Sequence, residues 1–125
     1  MRFARWTFRV AGVYGLVTVT PQYFLERQFN ADHPPAITHP EFYYGFLGLC
    51  VAWQVMFLLI GSDPVRYRPA MLVSVVEKAS FALAVPALFA AGRVPGMMVP
   101  LAAVDAVLGV LFAVAWVRTP RGWPR

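Results

Sequence analysis

Hydrophobic and polar positions along this chain fall into long blocks rather than into a regular alternation. Residues 42–61 contain no charge, residues 70–92 are interrupted by one adjacent pair of charges, and residues 94–117 by a single charge. A helix needs about 20 mostly apolar residues to cross the ~30 Å hydrocarbon core of a bilayer. A fourth uncharged block, residues 10–25, is shorter. The pattern therefore predicts four membrane-spanning helices.

The predicted fold class is all-α: an integral membrane four-helix bundle that forms a single transmembrane domain over residues 1–125. The shortest block follows three arginines, as in a signal peptide, but it lacks an A-x-A cleavage pattern and meets Pro21 near its end. We interpret it as an uncleaved first helix that is kinked or ended at Pro21. We expect an extracytoplasmic loop at about 28–39 and helices at about 5–27, 40–61, 66–92 and 97–118.

The composition supports a lipid environment. Hydrophobic residues make up 59% of the chain and charged residues only 14%, whereas soluble domains carry about 25% charged residues. A chain of this length leaves too much surface exposed to hide the excess in one core. Its single cysteine, Cys50, excludes an intrachain disulfide and a CxxC redox pair.

The positive charges are distributed unevenly over the two sides of the four-span arrangement. One side receives eight arginines: Arg2, Arg5, Arg9, Arg66, Arg68, Arg118, Arg121 and Arg125. The opposite side receives only Arg27 and Arg93. Because excess arginine marks the cytoplasmic face, we expect a multi-pass protein of the inner (plasma) membrane with both termini cytoplasmic. Such arginines also suit anionic headgroups, so we expect membrane lipids as partners and no nucleic acid.

A group of polar residues is predicted inside the bundle. Counted from the cytoplasmic helix ends, Tyr14, Gln54 and Glu77 lie at roughly one depth, about 10 Å in. Ser74, Glu77 and Ser80 form a narrow polar stripe at three-residue spacing. Two interpretations stay open for this group, a ligand or proton site and a structural hydrogen-bond network. A cytoplasmic arginine is a further candidate partner for Glu77.

The other two intramembrane charges are interpreted separately. Neighbouring residues on a helix do not face each other, so we do not expect Lys78 to pair with Glu77. Helical side chains lean towards the helix N-terminus, which is cytoplasmic here, so we expect Lys78 to extend to the cytoplasmic headgroups. Asp105 is a candidate for either a functional or a structural role, because a buried anion needs a partner. Its expected partners are Gln22, Tyr43, Tyr44 and Arg93.

Other catalytic and ligand-binding signals are weak. The loop histidines His33 and His39 are separated by two prolines and form no i, i+4 pair, so we expect no metal site. The sequence has no glycine-rich phosphate loop and no nucleophile elbow. We therefore predict no catalytic residue and no cofactor.

Three stretches, "FYYGFLG", "RYRPAMLVSVVEK" and "VDAVLGVLFAVAW", give the chain a layout that resembles the small four-span bacterial membrane proteins of the DoxX-like kind. More distantly, it is similar to EXPERA-type bundles. The first resemblance implies association with membrane redox complexes and quinone-linked chemistry. The second implies binding of sterol-like or cationic amphiphiles through buried acids.

The predicted function is that of a small non-enzymatic integral membrane protein. It is expected to be an accessory subunit of a larger membrane complex, for which a redox complex is one candidate, or to bind a lipophilic ligand, with membrane subunits or a second copy as partners. One alternative is a proton-coupled small-molecule transporter that acts as a dimer. Another is a membrane enzyme that acts on a lipid or quinone through Glu77 or Asp105.

Overall fold

A computed structural model describes residues 2–121, and most of these residues are helical. No strand occurs among them, so the all-α prediction is confirmed for this part of the chain. The helices, in chain order, are α1 (Arg2–Val19), a 3₁₀ helix (Thr20–Phe24), α2 (Glu26–Asp32), α3 (Pro40–Ser62), α4 (Arg68–Ala90) and α5 (Met98–Arg118).

The first predicted helix, residues 5–27, is divided into several elements in the structure. α1 ends at Val19, and Pro21 lies at the start of the 3₁₀ helix. Proline has no backbone N–H to continue the α-helical hydrogen bonds, and its ring clashes with the preceding turn. The chain then turns at Leu25 and forms the short α2, which occupies part of the segment predicted as a loop.

Three of the described helices, α3, α4 and α5, are long and apolar enough to cross a membrane. They contain 23, 23 and 21 residues. α1 is not among them, because its 18 residues include three arginines. Length and composition therefore support a membrane protein, and they do not identify α1 as a span.

The helices pack as two antiparallel pairs. α1 lies along α3, and α4 lies along α5. The pairs meet mainly between α1 and α5, and less between α3 and α4. At their junction the ring centroids of Phe8 and Phe112 are 4.1 Å apart, and those of Phe57 and Phe112 are 4.9 Å apart. The other buried members of this core are Ala4, Ala11, Ile60, Met71 and Ala115.

Arginines gather at one end of the structure, where α1 and α4 begin and α3 and α5 end. We call this the arginine end. Arg5 Nη1 donates to the backbone oxygen of Ser62 (3.3 Å), and Arg68 Nε donates to that of Thr119 (2.7 Å). Both bonds satisfy backbone oxygens at a helix C-terminus, which lack partners within the helix. Of the eight arginines assigned to this side by sequence, Arg125 lies outside the described residues.

Candidate functional site

The most unusual feature of the bundle is a buried lysine. Lys78 is only 5% exposed. Its Nζ lies 3.4 Å from Asp105 Oδ1, 3.8 Å from Glu77 Oε1 and 5.1 Å from the centroid of the Phe57 ring. We call Glu77, Lys78 and Asp105 the charged cluster. The prediction that Lys78 extends to the headgroups and does not pair with Glu77 is wrong.

The geometry of α5 explains why Lys78 does not reach the headgroups. A Cβ atom at Gly109 would lie 3.3 Å from Lys78 Cβ, so the base of the lysine side chain lies beside this glycine. Asp105 is four residues, or about 6 Å, farther from the arginine end than Gly109. The lysine side chain therefore runs away from the arginine end and towards a carboxylate.

Asp105 consequently has a different partner from those expected at the loop end of the bundle. It accepts a long hydrogen bond of 3.4 Å from Lys78 Nζ. Two of the expected donors are engaged elsewhere, since the Tyr43 hydroxyl donates to the Gln22 backbone oxygen (2.7 Å) and the Tyr44 hydroxyl to Glu26 Oε1 (2.8 Å). The predictions that paired Asp105 with Gln22, Tyr43, Tyr44 or Arg93 are therefore wrong.

Glu77 is largely buried, with a side chain that is 19% exposed. Its Oε1 atom is buried and has no hydrogen-bond donor among residues 2–121. The 3.8 Å to Lys78 Nζ is too long for a hydrogen bond, although the two charges still attract each other. Glu77 thus shares one ammonium group with Asp105 and keeps an acceptor atom available.

Tyr14 and Gln54, the expected neighbours of Glu77, are directed elsewhere. Tyr14 is 40% exposed on the outer surface of α1. Gln54 is buried against Gly15 of α1, and its Nε2 donates to the Cys50 backbone oxygen (2.9 Å). The structure therefore does not bring the predicted group of Tyr14, Gln54 and Glu77 together through hydrogen bonds between their side chains.

The two serines of the predicted stripe are satisfied within α4. Ser74 Oγ donates to the backbone oxygen of Ala70 (2.9 Å), and Ser80 Oγ to that of Glu77 (2.7 Å). Serine hydroxyls in helices commonly bond back to the preceding turn in this way. Ser74 is fully buried and Ser80 is exposed, so the two serines do not form one continuous polar surface.

The charged cluster lies inside two candidate spans, and its lysine lies near the middle of α4. Lys78 is ten residues from Arg68 and twelve from Ala90, which correspond to about 15 Å and about 18 Å along α4. The cluster contains two carboxyl groups and one ammonium group, and no other cation forms an ion pair with it in the described part of the chain. Because an uncompensated charge is costly in hydrocarbon, the second carboxyl group needs a proton or a cation.

Packing changes on the two sides of the charged cluster. The core shared by the two helix pairs lies towards the arginine end. On the opposite side, the buried apolar residues among 2–121 are Leu47, Val85 and Ala102. Large apolar side chains of α3 and α4 are exposed on both sides of the cluster, including Leu59 (42%) and Val76 (67%) towards the arginine end and Leu49 (67%) and Leu83 (73%) beyond it. The cluster thus lies at the limit of the core that the two helix pairs share.

The chain matches no protein-family model, no curated protein and no solved structure. The resemblance to DoxX-like and EXPERA-type proteins accordingly stays a prediction.

Proposed function

We propose that the chain is an inner-membrane protein with four spans and with both termini on the cytoplasmic side. α1 supports the fourth span because it follows α3, itself a candidate span, through its whole length. At one end of this contact Arg5 bonds to Ser62. Beyond the other end, the Tyr43 hydroxyl bonds to Gln22 in the 3₁₀ helix that follows α1. The arginine end supports the orientation, since arginine excess marks the cytoplasmic side.

We further propose that the protein is non-enzymatic and binds a lipophilic cation at the charged cluster. The observation that carries this proposal is a single buried ammonium group shared by two carboxyl groups. A positively charged group on a ligand balances the remaining carboxylate, and an ammonium ligand also donates to Glu77 Oε1. The apolar surface of α3 and α4 beyond the cluster suits the lipophilic part of such a molecule.

Co-purification tests this proposal. The full chain is purified in a mild detergent, and bound small molecules are identified by native mass spectrometry. We expect a lipophilic amine or related cation on the wild type and its loss in Glu77→Gln, which keeps the side-chain shape but removes the charge. Glu41→Gln is the matched control, because Glu41 is an exposed acid at the start of α3. Equal retention of the ligand by all three proteins contradicts the proposal.

Proton-coupled transport is a second candidate, favoured by the same excess of carboxyl groups. A carboxyl group without its own cation can hold a proton and release it when a cationic substrate arrives. The sparse packing between α3 and α4 also suits movement of one helix pair against the other. In proteoliposomes we expect an imposed pH gradient to drive uptake of a lipophilic cation by the wild type and not by Glu77→Gln. Binding without gradient-driven uptake contradicts transport and leaves the binding proposal intact.

The role of accessory subunit and the homodimer stay predictions. Partner chains in the same purification, or a mass equal to two copies of this chain, are the observations that test them.

A further inference from the structure

A groove on the outer surface of α1 lies outside the charged cluster. Its volume is about 360 Å³, and it is lined by Trp6, Arg9, Val10, Val13 and Tyr14. Four of these side chains are substantially exposed: Trp6 (56%), Val10 (60%), Val13 (53%) and Tyr14 (40%). The groove is therefore an apolar surface with one positively charged member.

The aliphatic part of the Arg9 side chain, its stem, packs on α3 and thereby positions the guanidinium group at this groove. A Cβ atom at Gly61 of α3 would lie 2.8 Å from Arg9 Cγ, so the stem packs closely on that glycine. The guanidinium carbon lies 5.4 Å from the centroid of the Trp6 ring, one turn closer to the arginine end. Packing at both ends of the side chain fixes where this charge lies.

The charge of Arg9 has no protein counter-ion in the described part of the chain. None of the ion pairs among residues 2–121 includes an arginine. Arg2 lies seven residues before Arg9 and is exposed, and a spacing of seven residues places it on nearly the same face of α1. Two arginines without carboxylate partners therefore flank Trp6 at the end of the groove.

We propose that this groove binds one anionic phospholipid. The lipid phosphate contacts the Arg9 guanidinium, and an acyl chain lies along Val10 and Val13. Arg2, about 10 Å away along α1, adds a second positive charge at headgroup depth. Charge complementarity favours this occupant, because a phosphate offers the oxygen acceptors that guanidinium groups bind best. Two cations favour a headgroup with net negative charge over a zwitterionic one. The inference rests on the proposal that α1 lies in the membrane with the arginine end at headgroup depth.

The depth of each residue fits a lipid that stands in the leaflet. Arg9 is about 10 Å along α1 from Arg2. Its side chain leans towards the helix N-terminus, which brings the guanidinium back towards the headgroups. Val10, Val13 and Tyr14 continue from there into the apolar part of the helix, at the depth of the acyl chains.

Lipid titration followed by native mass spectrometry tests the inference. The full chain in detergent receives phosphatidylglycerol or phosphatidylcholine with identical acyl chains. We expect the wild type to bind phosphatidylglycerol at least about fivefold more tightly, since one basic residue near an anionic surface contributes about that factor. Arg9→Gln removes the charge but keeps the stem on Gly61, and it should lose most of this preference. Arg93→Gln, in the turn between α4 and α5, should keep it.

A second variant tests the apolar part of the site independently of charge. Val13→Trp fills the groove while both arginines remain, and we expect weaker binding of phosphatidylglycerol and phosphatidylcholine alike. Equal affinity of the wild type for the two lipids overturns the inference, and so does an equal loss in Arg9→Gln and Arg93→Gln. Neither result bears on the charged cluster, whose ligand is measured separately, so failure here and failure of the proposed function are distinguishable.

Discussion

Replacing Lys78 by methionine removes the only ammonium group of the charged cluster while keeping a long apolar side chain. Asp105 Oδ1 then loses a cation at 3.4 Å, and Glu77 Oε1 one at 3.8 Å. Removing one partner of a buried ion pair costs about 3–5 kcal/mol, because the other charge is left uncompensated. A carboxyl group that takes up a proton no longer carries an uncompensated charge. For an ordinary aspartate at pH 7, this protonation costs a free energy of about 4 kcal/mol. Since both acids are about one-fifth exposed, we expect a loss of about 3 kcal/mol.

Unfolding of the purified protein in one detergent, by heat or by denaturant, measures this loss. Val76→Met is the matched control, because Val76 lies on the same helix and is 67% exposed, and it should unfold like the wild type. The double variant Lys78→Met/Asp105→Asn should recover part of the stability, since it no longer leaves that carboxylate without a cation. The difference between the double variant and the sum of the single variants gives the coupling energy. If Lys78→Met is as stable as the wild type in this assay, the lysine does not compensate these acids and the reasoning is refuted.

Three further predictions concern the cluster, the helix packing and the topology. Asp105→Asn should lower the melting temperature more than Glu77→Gln does. Asp105 is the closer partner of the lysine, whereas Glu77 carries the excess negative charge. A larger decrease in Glu77→Gln contradicts the conclusion that Asp105 is the main partner of Lys78. Gly15→Ala should destabilise the protein by about 1–3 kcal/mol, because its Cβ would overlap the Gln54 side chain. Gly45→Ala is the control, because no atom lies within 4 Å of the added Cβ, and its stability should be unchanged or higher by up to about 1 kcal/mol. Equal effects of the two glycine variants refute the close packing of Gln54 on Gly15. A reporter fused to the C-terminus should give a cytoplasmic signal and one inserted between α2 and α3 an extracytoplasmic one; an extracytoplasmic C-terminus overturns the topology.

Much of the helical architecture was predictable from the sequence because hydrocarbon imposes a simple length requirement on each span. The long apolar blocks correspond to α3, α4 and α5 in the described residues. The segment around Pro21 was harder to predict. A missing backbone N–H indicates that a helix ends there, but it does not say whether the chain continues as a loop or as the short 3₁₀ and α2 helices that the structure contains.

The charged cluster was predictable in its members but not in its pairing. Glu77 and Asp105 stand out in any apolar block, whereas the usual lean of helical side chains towards the helix N-terminus predicts a position at the headgroups for Lys78. One signal for the pairing was available, because Lys78 and Asp105 lie on consecutive antiparallel helices at similar depths. Lys78 is 12 residues before the end of α4, and Asp105 is 7 residues after the start of α5. The difference of five residues corresponds to about 7.5 Å, a distance that the long lysine side chain helps to bridge. The direction of that side chain depends on the space beside Gly109, which the sequence alone does not reveal.

Binding of two lipophilic ions of opposite charge tests the central claim most directly. Tetraphenylphosphonium and tetraphenylborate have nearly the same size and shape, so a comparison of their affinities in equilibrium dialysis isolates the sign of the charge. If the charged cluster is a site for lipophilic cations, the wild type and Glu41→Gln bind the phosphonium more tightly than the borate, and Glu77→Gln loses this preference. Equal affinities of the wild type for the two ions, or an unchanged preference in Glu77→Gln, would contradict the account.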